Sequence, residues 1–380
     1  MIKKYLLAPG PTQVSSEVLL AMAQPVLHHR APEFVQLMDR VRKDLKWLFQ
    51  TQNDVLILAS TGTGGMEGSI TNFLSPGDTA LVINGGKFGE RWLKICAAYG
   101  VNVEELPVEW GYAAKPESVA AALKKNPTVR AVLTQASETS TGVAHPIREI
   151  AEIVRKEENC LMIVDAVSAM GVFDIQTDAW GLDVVVTGSQ KALALPPGLA
   201  FVSVSEKAWR QAETAKNAKF YFNFKKERES LIKNQTAYTA AVSLMVGLDR
   251  SLAMMKEEGL SNIFARHHLL ARACQEGMKG MGLSLYPKES PSDAVTAVSA
   301  PQGYDGQSIY KDLRVKYGIT AAGGQDHLKG KVFRIATMGY IDTFDIITAV
   351  AAVEMVLKGM GHPLVLGTGV GIAQGLLLKK

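Results

Sequence analysis

Short apolar runs alternate with longer stretches of helical periodicity over the first two-thirds of the chain. The runs at 54–58, 80–83, 101–106, 131–133, 161–164, 184–186 and 199–204 are rich in Val, Ile and Leu and bounded by Gly, Pro, Asp or Asn, as buried strands are. Between them, 66–74, 88–99, 116–125 and 146–156 carry the spacing of helices, and the last two open on a proline at the first helical position. Apolar strands alternating with helices predict an α/β fold with a mostly parallel central sheet covered on both faces. Past residue 205 the texture changes. Two long helices are expected at 240–258 and 260–281, separated by Gly259, followed by a strand at 294–299, a helix at 307–317, a strand at 332–336 and a helix at 343–360. The glycine-interrupted stretch 362–378 reads as a loop and a docked tail. This predicts an N-terminal arm (1–19), a large domain (20–255) and a smaller C-terminal α+β domain (256–380).

Composition narrows the function classes. The 380 residues include 41 Lys+Arg and 37 Asp+Glu, a net charge of +4 with the two signs interspersed, so no nucleic-acid face is expected. The chain has no uninterrupted apolar stretch of about 18 residues, and the apolar run at 5–8 is too short for a signal-peptide core. A membrane span is therefore not expected. Cys96, Cys160 and Cys274 are odd in number, far apart and match no zinc spacing, which points to a reducing, cytoplasmic setting. The pairs His28-His29 and His267-His268 lack partners at ligand spacing, so no metal is expected. In 216–233, Phe220, Tyr221, Phe222 and Phe224 interleave with Lys219, Lys225, Lys226 and Arg228 but are interrupted by Glu227 and Glu229. That segment reads as a connector packed at a subunit interface.

Three features carry chemistry. The turn Ser60-Thr61-Gly62-Thr63-Gly64-Gly65-Met66-Glu67 leaves backbone amides uncovered at the start of a helix, which makes an anion cradle, although a plain strand-to-helix turn has the same look. It fits neither a dinucleotide fingerprint, since Glu67 stands where a third glycine is needed, nor a P-loop. Asp165 ends the strand Leu161-Met162-Ile163-Val164, where a side chain points into the ligand crevice of an open sheet; alternatively it caps the next helix. Lys191, in Thr187-Gly188-Ser189-Gln190-Lys191-Ala192, follows another strand among small and apolar neighbours. A phosphate cradle, a strand-end acid and a strand-end lysine together match what pyridoxal 5'-phosphate requires. Asp165 would keep the pyridine nitrogen protonated, and Lys191 would bond to the aldehyde. A partly desolvated, electropositive setting makes such a lysine a usable nucleophile and base.

The chain also resembles the class V, fold-type I aminotransferases, within them the alanine–glyoxylate and serine–glyoxylate (serine–pyruvate) group. The resemblance runs through Leu7-Ala8-Pro9-Gly10-Pro11-Thr12, the 61–67 turn, Glu138-Thr139-Ser140-Thr141-Gly142, Val164-Asp165-Ala166, Gly188-Ser189-Gln190-Lys191-Ala192 and Arg334-Ile335-Ala336-Thr337-Met338-Gly339. It implies that Thr63, Gly64 and Gly65 form the phosphate cradle and that Phe88 stacks on the ring, where many relatives carry Trp. Thr139 would contact the ring edge, Gln190 the phosphate, and Thr239 the phosphate of a partner subunit in a homodimer with its site at the interface. Thr236 stands where some relatives have Tyr. Arg334 would grip the substrate carboxylate, a task suited to a guanidinium fork. The implied reaction is transamination between a small amino acid (alanine or serine) and a 2-oxo acid (glyoxylate or pyruvate). Arg30 or Lys87 as a second cationic clamp would extend it to aspartate, and a same-fold enzyme for 2-aminoethylphosphonate is a further alternative. A lyase or desulfurase would need a cysteine in the loop before the arginine strand, and Ala321-Ala322-Gly323-Gly324-Gln325 has none. A non-catalytic subunit of a redox complex is a third reading, against which intact Lys191, Asp165 and Arg334 speak.

Overall fold

The computed structural model describes residues 2–378. All seven apolar runs of the first two-thirds are strands: β1 Val55–Ser60, β2 Thr79–Asn84, β3 Asn102–Pro107, β4 Val129–Gln135, β5 Leu161–Asp165, β6 Val184–Gly188 and β7 Gly198–Val204. They form one sheet in the order β1-β7-β6-β5-β4-β2-β3. β7 runs antiparallel to both of its neighbours, and every other pairing is parallel. The strands were legible because β4 to β7 are buried along nearly their whole length, so burial selects apolar residues at every position.

Parallel pairing has one functional consequence. It brings the carboxyl ends of β1, β2, β4, β5 and β6 to the same edge, so the loops that follow them converge there.

The helices depart from expectation in several places. Pro116 does open its helix, but Pro146 is the cap residue before Ile147–Val154, with φ −78° and ψ 73°, outside the helical region. In the stretch 362–378 the loop covers 362–367, and the docked tail is helical. Thr368–Leu377 is a helix packed against Leu260–Gly280. Its amino end is capped from a distance by the buried carboxylate of Glu354, which accepts from Gly367 N at 2.7 Å, Gly369 N at 2.6 Å and Val370 N at 3.2 Å. A carboxylate on the unpaired amides of a helix start offsets the low helical propensity of the glycines. The long helix Pro32–Phe49 was not foreseen, although Phe34, Leu37, Met38, Val41, Leu45 and Leu48 line one buried stripe at helical spacing.

The C-terminal part holds a three-stranded antiparallel sheet, β8 Val295–Ser299, β9 Ala322–Gly323 and β10 Val332–Ala336, with β10 in the middle. Two large apolar cores result. One runs from Val18 to Ile263, and the other joins Leu7 to residues from Leu270 to Leu377. The N-terminal segment links them. Tyr5–Leu6 pairs with Ile319–Thr320, Leu7 accepts from Ala336 N at 2.7 Å, and the chain then passes beside Lys191. No helix of the described residues is long and apolar enough to cross a membrane.

Candidate active site

Lys191 sits in the loop after β6, where the backbone is stapled in place. Thr12 Oγ1 donates to Lys191 O at 2.8 Å, Ala194 N to the same oxygen at 2.9 Å, and Ser189 Oγ to Pro196 O at 2.7 Å. The side chain is 9% exposed, and its Nζ donates to Pro9 O. That approach requires Gly10. Its φ is +114°, and a Cβ there would stand 2.5 Å from Nζ. The apolar arm thus desolvates the amine. Burial pushes Lys191 down to about 8; the positive charges of Arg334 and Arg91 add to the fall, and Asp165 opposes it.

Asp165, the last residue of β5, is buried and accepts from Val167 N at 2.8 Å. Burial raises its carboxyl, against the Val167 amide and the charges of Arg91 and Lys191. Behind β1, the helix Gly62–Phe73 starts without a side-chain cap. Gly64 and Gly65 turn their amides back to Thr61 O, and among the described residues the Gly62 and Thr63 amides find no backbone partner. A Cβ on Gly64 would fall 1.9 Å from Ser60 Oγ. Gln190 Oε1 is buried without a partner, and a Cβ on Gly188 would meet both it, at 2.9 Å, and Gly62 N, at 3.2 Å. Uncovered amides and an unpartnered amide side chain therefore share one small space.

Phe88 opens onto the same edge from the first turn of Lys87–Ala98, after β2. Two residues there carry roles that sequence reading missed. Glu138, fully buried, accepts from Phe88 N at 3.0 Å and Gly89 N at 3.1 Å, and so fixes the helix start that presents Phe88. Burial raises its carboxyl, and its amide and Ser140 hydroxyl donors work against that. Arg91, one turn on from Phe88, donates to Thr63 Oγ1 at 3.1 Å and lies over the Phe88 ring, 4.7 Å from its centroid. Glu138 stands in a block already noted, whereas an arginine between Glu90 and Trp92 gave no signal.

Arg334 reaches in from β10. Its Nε and Nη2 donate to Gly323 O at 3.0 and 2.8 Å, and its Nη1 to Thr139 O at 2.7 Å. Burial pushes it down to about 10, opposed by Glu138, so it stays charged near neutrality. Three of the five guanidinium N–H groups are used, leaving one on each Nη as a fork. Thr139 is itself buried beside this group.

The structure thus brings Lys191, Asp165, Thr63, Gly64, Gly65, Phe88, Thr139, Gln190 and Arg334 to one edge of the sheet. Thr239 lies elsewhere: it is exposed and lines a small cavity with Tyr221, Phe222 and Thr236, whose Oγ1 donates to Tyr238 O at 2.6 Å. Of the two proposed second clamps, only Lys87 is paired with carboxylates. Lys87 is held by Glu90, at 2.5 Å, and by Asp326, and the exposed Arg30 donates to Gln235. His267 is a packing residue. It donates from Nδ1 to Ile263 O and accepts at Nε2 from Gly339 N, and burial pushes it down to about 3.

This fold and edge-of-sheet arrangement define an enzyme class, and comparison names it. The aminotransferase class-V family profile matches residues 4–339, and the chain belongs to that family. It is 44% identical to the soluble hydrogenase 42 kDa subunit of Anabaena cylindrica, covering 98% of this chain and 97% of that one. It is 36% identical to the L-aspartate–glyoxylate aminotransferase of Paracoccus denitrificans, over 96% and 94% of the two chains. The crystal structure of alanine–glyoxylate aminotransferase from Nostoc sp. superposes with a TM-score of 0.90 at 30% identity, over 94% and 96%. The protein is a pyridoxal-phosphate-dependent aminotransferase.

A lysine with its pKa at about 8 predicts how the cofactor is taken up, because only the neutral amine attacks a carbonyl. Uptake of pyridoxal phosphate by the cofactor-free, full-length chain should accelerate about tenfold per pH unit below pH 8 and level off above it. Stopped-flow absorbance reads this directly. A rate still climbing steeply at pH 10 would mean that the amine is not desolvated as described.

Proposed function

We propose that the enzyme transfers the amino group of alanine or serine to glyoxylate or pyruvate. The observation that carries this reading is the contrast between Arg334 and Lys87. Arg334 retains a two-pronged fork for one carboxylate, while Lys87 is neutralised by Glu90 and Asp326. A donor with one carboxylate matches one fork. The two relatives named as transaminases both carry glyoxylate in their names, which supports it as acceptor.

In this reading the uncovered amides of Gly62 and Thr63, with Gln190, fit a phosphate; the amide of Gln190 satisfies its orphaned end by turning its N–H groups there. Gly64 and Gly65 would give the backbone its close approach, Phe88 and Thr139 would hold the ring, and Asp165 would serve its nitrogen. When bound, pyridoxal phosphate supplies an aldehyde that exchanges amines and a ring that draws electrons from the α-carbon. Lys191 Nζ takes the α-proton and returns it, which a pKa of about 8 suits. Arg334 orients the donor by its carboxylate.

Exposed Phe220 and Tyr221, both against Tyr238, support a second copy covering the surface beside Thr239. Thr239, on the neighbouring loop, would then reach the partner's phosphate. Three buried, unpaired cysteines suit the cytoplasm. They also weigh against a desulfurase, since burial pushes the Cys274 thiol up to about 12.

A donor panel tests the substrate assignment. With glyoxylate as acceptor, alanine or serine should exceed aspartate and 2-aminoethylphosphonate by at least about tenfold in kcat/KM, the worth of one unpaired buried charge or better. Aspartate as the best donor would overturn the assignment and mean that Lys87 leaves its carboxylate partners.

A further inference from the structure

We propose that Arg91 is a positioning residue for the cofactor's phosphate, acting through Thr63. This rests on the reading of Thr63 and Phe88 given above. Arg91 stands one turn after Phe88, and its guanidinium bridges the two elements assigned to the cofactor. Nη1 donates to Thr63 Oγ1 at 3.1 Å, and the guanidinium carbon lies 4.7 Å from the Phe88 ring centroid.

The chemistry of the bond sets its consequence. Arginine is a donor only, so the Thr63 oxygen must accept, and the hydroxyl proton is left to point away from Arg91. Thr63 is the second residue of its helix, next to amides that find no backbone partner. Its hydroxyl is therefore turned into one more donor aimed at whatever anion the helix start holds. A neutral partner also leaves the guanidinium charge uncancelled by that contact. It acts across the site: the electrostatics of both Asp165 and Lys191 register Arg91 as a nearby positive charge. Against the ring, the cation holds the plane of Phe88 from the side, so the stacking surface and the phosphate donors keep a fixed relation.

Lysine at this position would retain the charge but not the planar, directed N–H groups. Glutamine would retain a donor and lose the charge. The two replacements thus separate the contributions.

The test uses full-length chain freed of cofactor and titrated with either pyridoxal phosphate or pyridoxal, which has the same ring and aldehyde without the phosphate. Arg91→Gln should weaken pyridoxal phosphate by about 10- to 100-fold, the range of a charge-assisted hydrogen bond, and pyridoxal by no more than about threefold. Arg91→Lys should recover part of the loss. Equal weakening of both ligands, or a lowered melting temperature with unchanged affinity for pyridoxal phosphate, would overturn the proposal and make Arg91 a residue of helix packing. The site assignment beneath it is checked separately. If wild-type chain bound pyridoxal phosphate but Arg91→Gln weakened both ligands equally, Arg91 alone would be misread. If Lys191→Ala retained the wild-type visible band, the whole site would be.

Discussion

Lys191→Ala should abolish the visible absorption band of the cofactor-loaded enzyme and lower turnover by about 10⁴-fold or more, because in the proposed reading it removes both the covalent attachment point and the proton carrier. The fold should survive. The backbone around Lys191 is held by Thr12, Ala194 and the Ser189–Pro196 contact, none of which uses the lysine side chain. Removing an amine that is buried against Pro9 O and faces two guanidinium charges also relieves an electrostatic cost, so the melting temperature of the cofactor-free chain should not fall steeply. Lys191→Arg sharpens the test. It keeps a positive charge but cannot become neutral at any working pH, so it should be as inactive as alanine. Small primary amines added to Lys191→Ala should restore part of the rate, whereas Lys191→Arg leaves no room for them. Turnover by Lys191→Arg within about tenfold of wild type would show that the neutral amine is not the proton carrier.

Lys191 and Asp165 were legible because each combines a polar side chain with the end of an apolar strand, and parallel pairing brings such ends to one edge whatever the loops do. The same logic found Arg334 only through its surrounding block, since β10 belongs to a separate antiparallel sheet and its position over Thr139 depends on how two cores dock. Arg91 could not be read at all. Between Glu90 and the buried Trp92 nothing in the sequence marks it, and its hydrogen-bond partner Thr63 is 28 residues away. Pairing of Lys87 with Asp326, across the two halves of the chain, was equally hidden, and it removes the cation that would have favoured a dicarboxylate donor. The C-terminal helix failed for a local reason. Its glycines argue against helix by propensity, and Glu354 supplies the missing stabilisation from another helix. Propensity thus misses an element whose stabilising partner is remote in sequence, as the C-terminal helix shows.

Arg334→Lys should lower kcat/KM for alanine or serine by about 10²- to 10³-fold, the cost of replacing a bidentate charged contact by a single point charge. The arginine does two things at once. Its Nε, Nη1 and Nη2 tie Gly323 O and Thr139 O together, and the N–H left on each Nη forms the fork. A lysine ammonium has three donors; reaching both carbonyls would leave one for the substrate. Loss of orientation then appears in KM and kcat together, because a donor held by one oxygen can swing its α-proton away from Lys191 Nζ. The control is a primary amine that lacks a carboxylate, followed in a single turnover. It never used the fork, so Arg334→Lys should leave its slow rate within about threefold of wild type. Were both substrates to slow equally, Arg334 would be serving chiefly to hold Thr139 and the Gly323 strand in place, and the substrate carboxylate would have to be sought at another cation. Since burial leaves Arg334 charged up to about pH 10, the selective defect should persist unchanged across neutral pH, which separates it from the titration of Lys191 near 8.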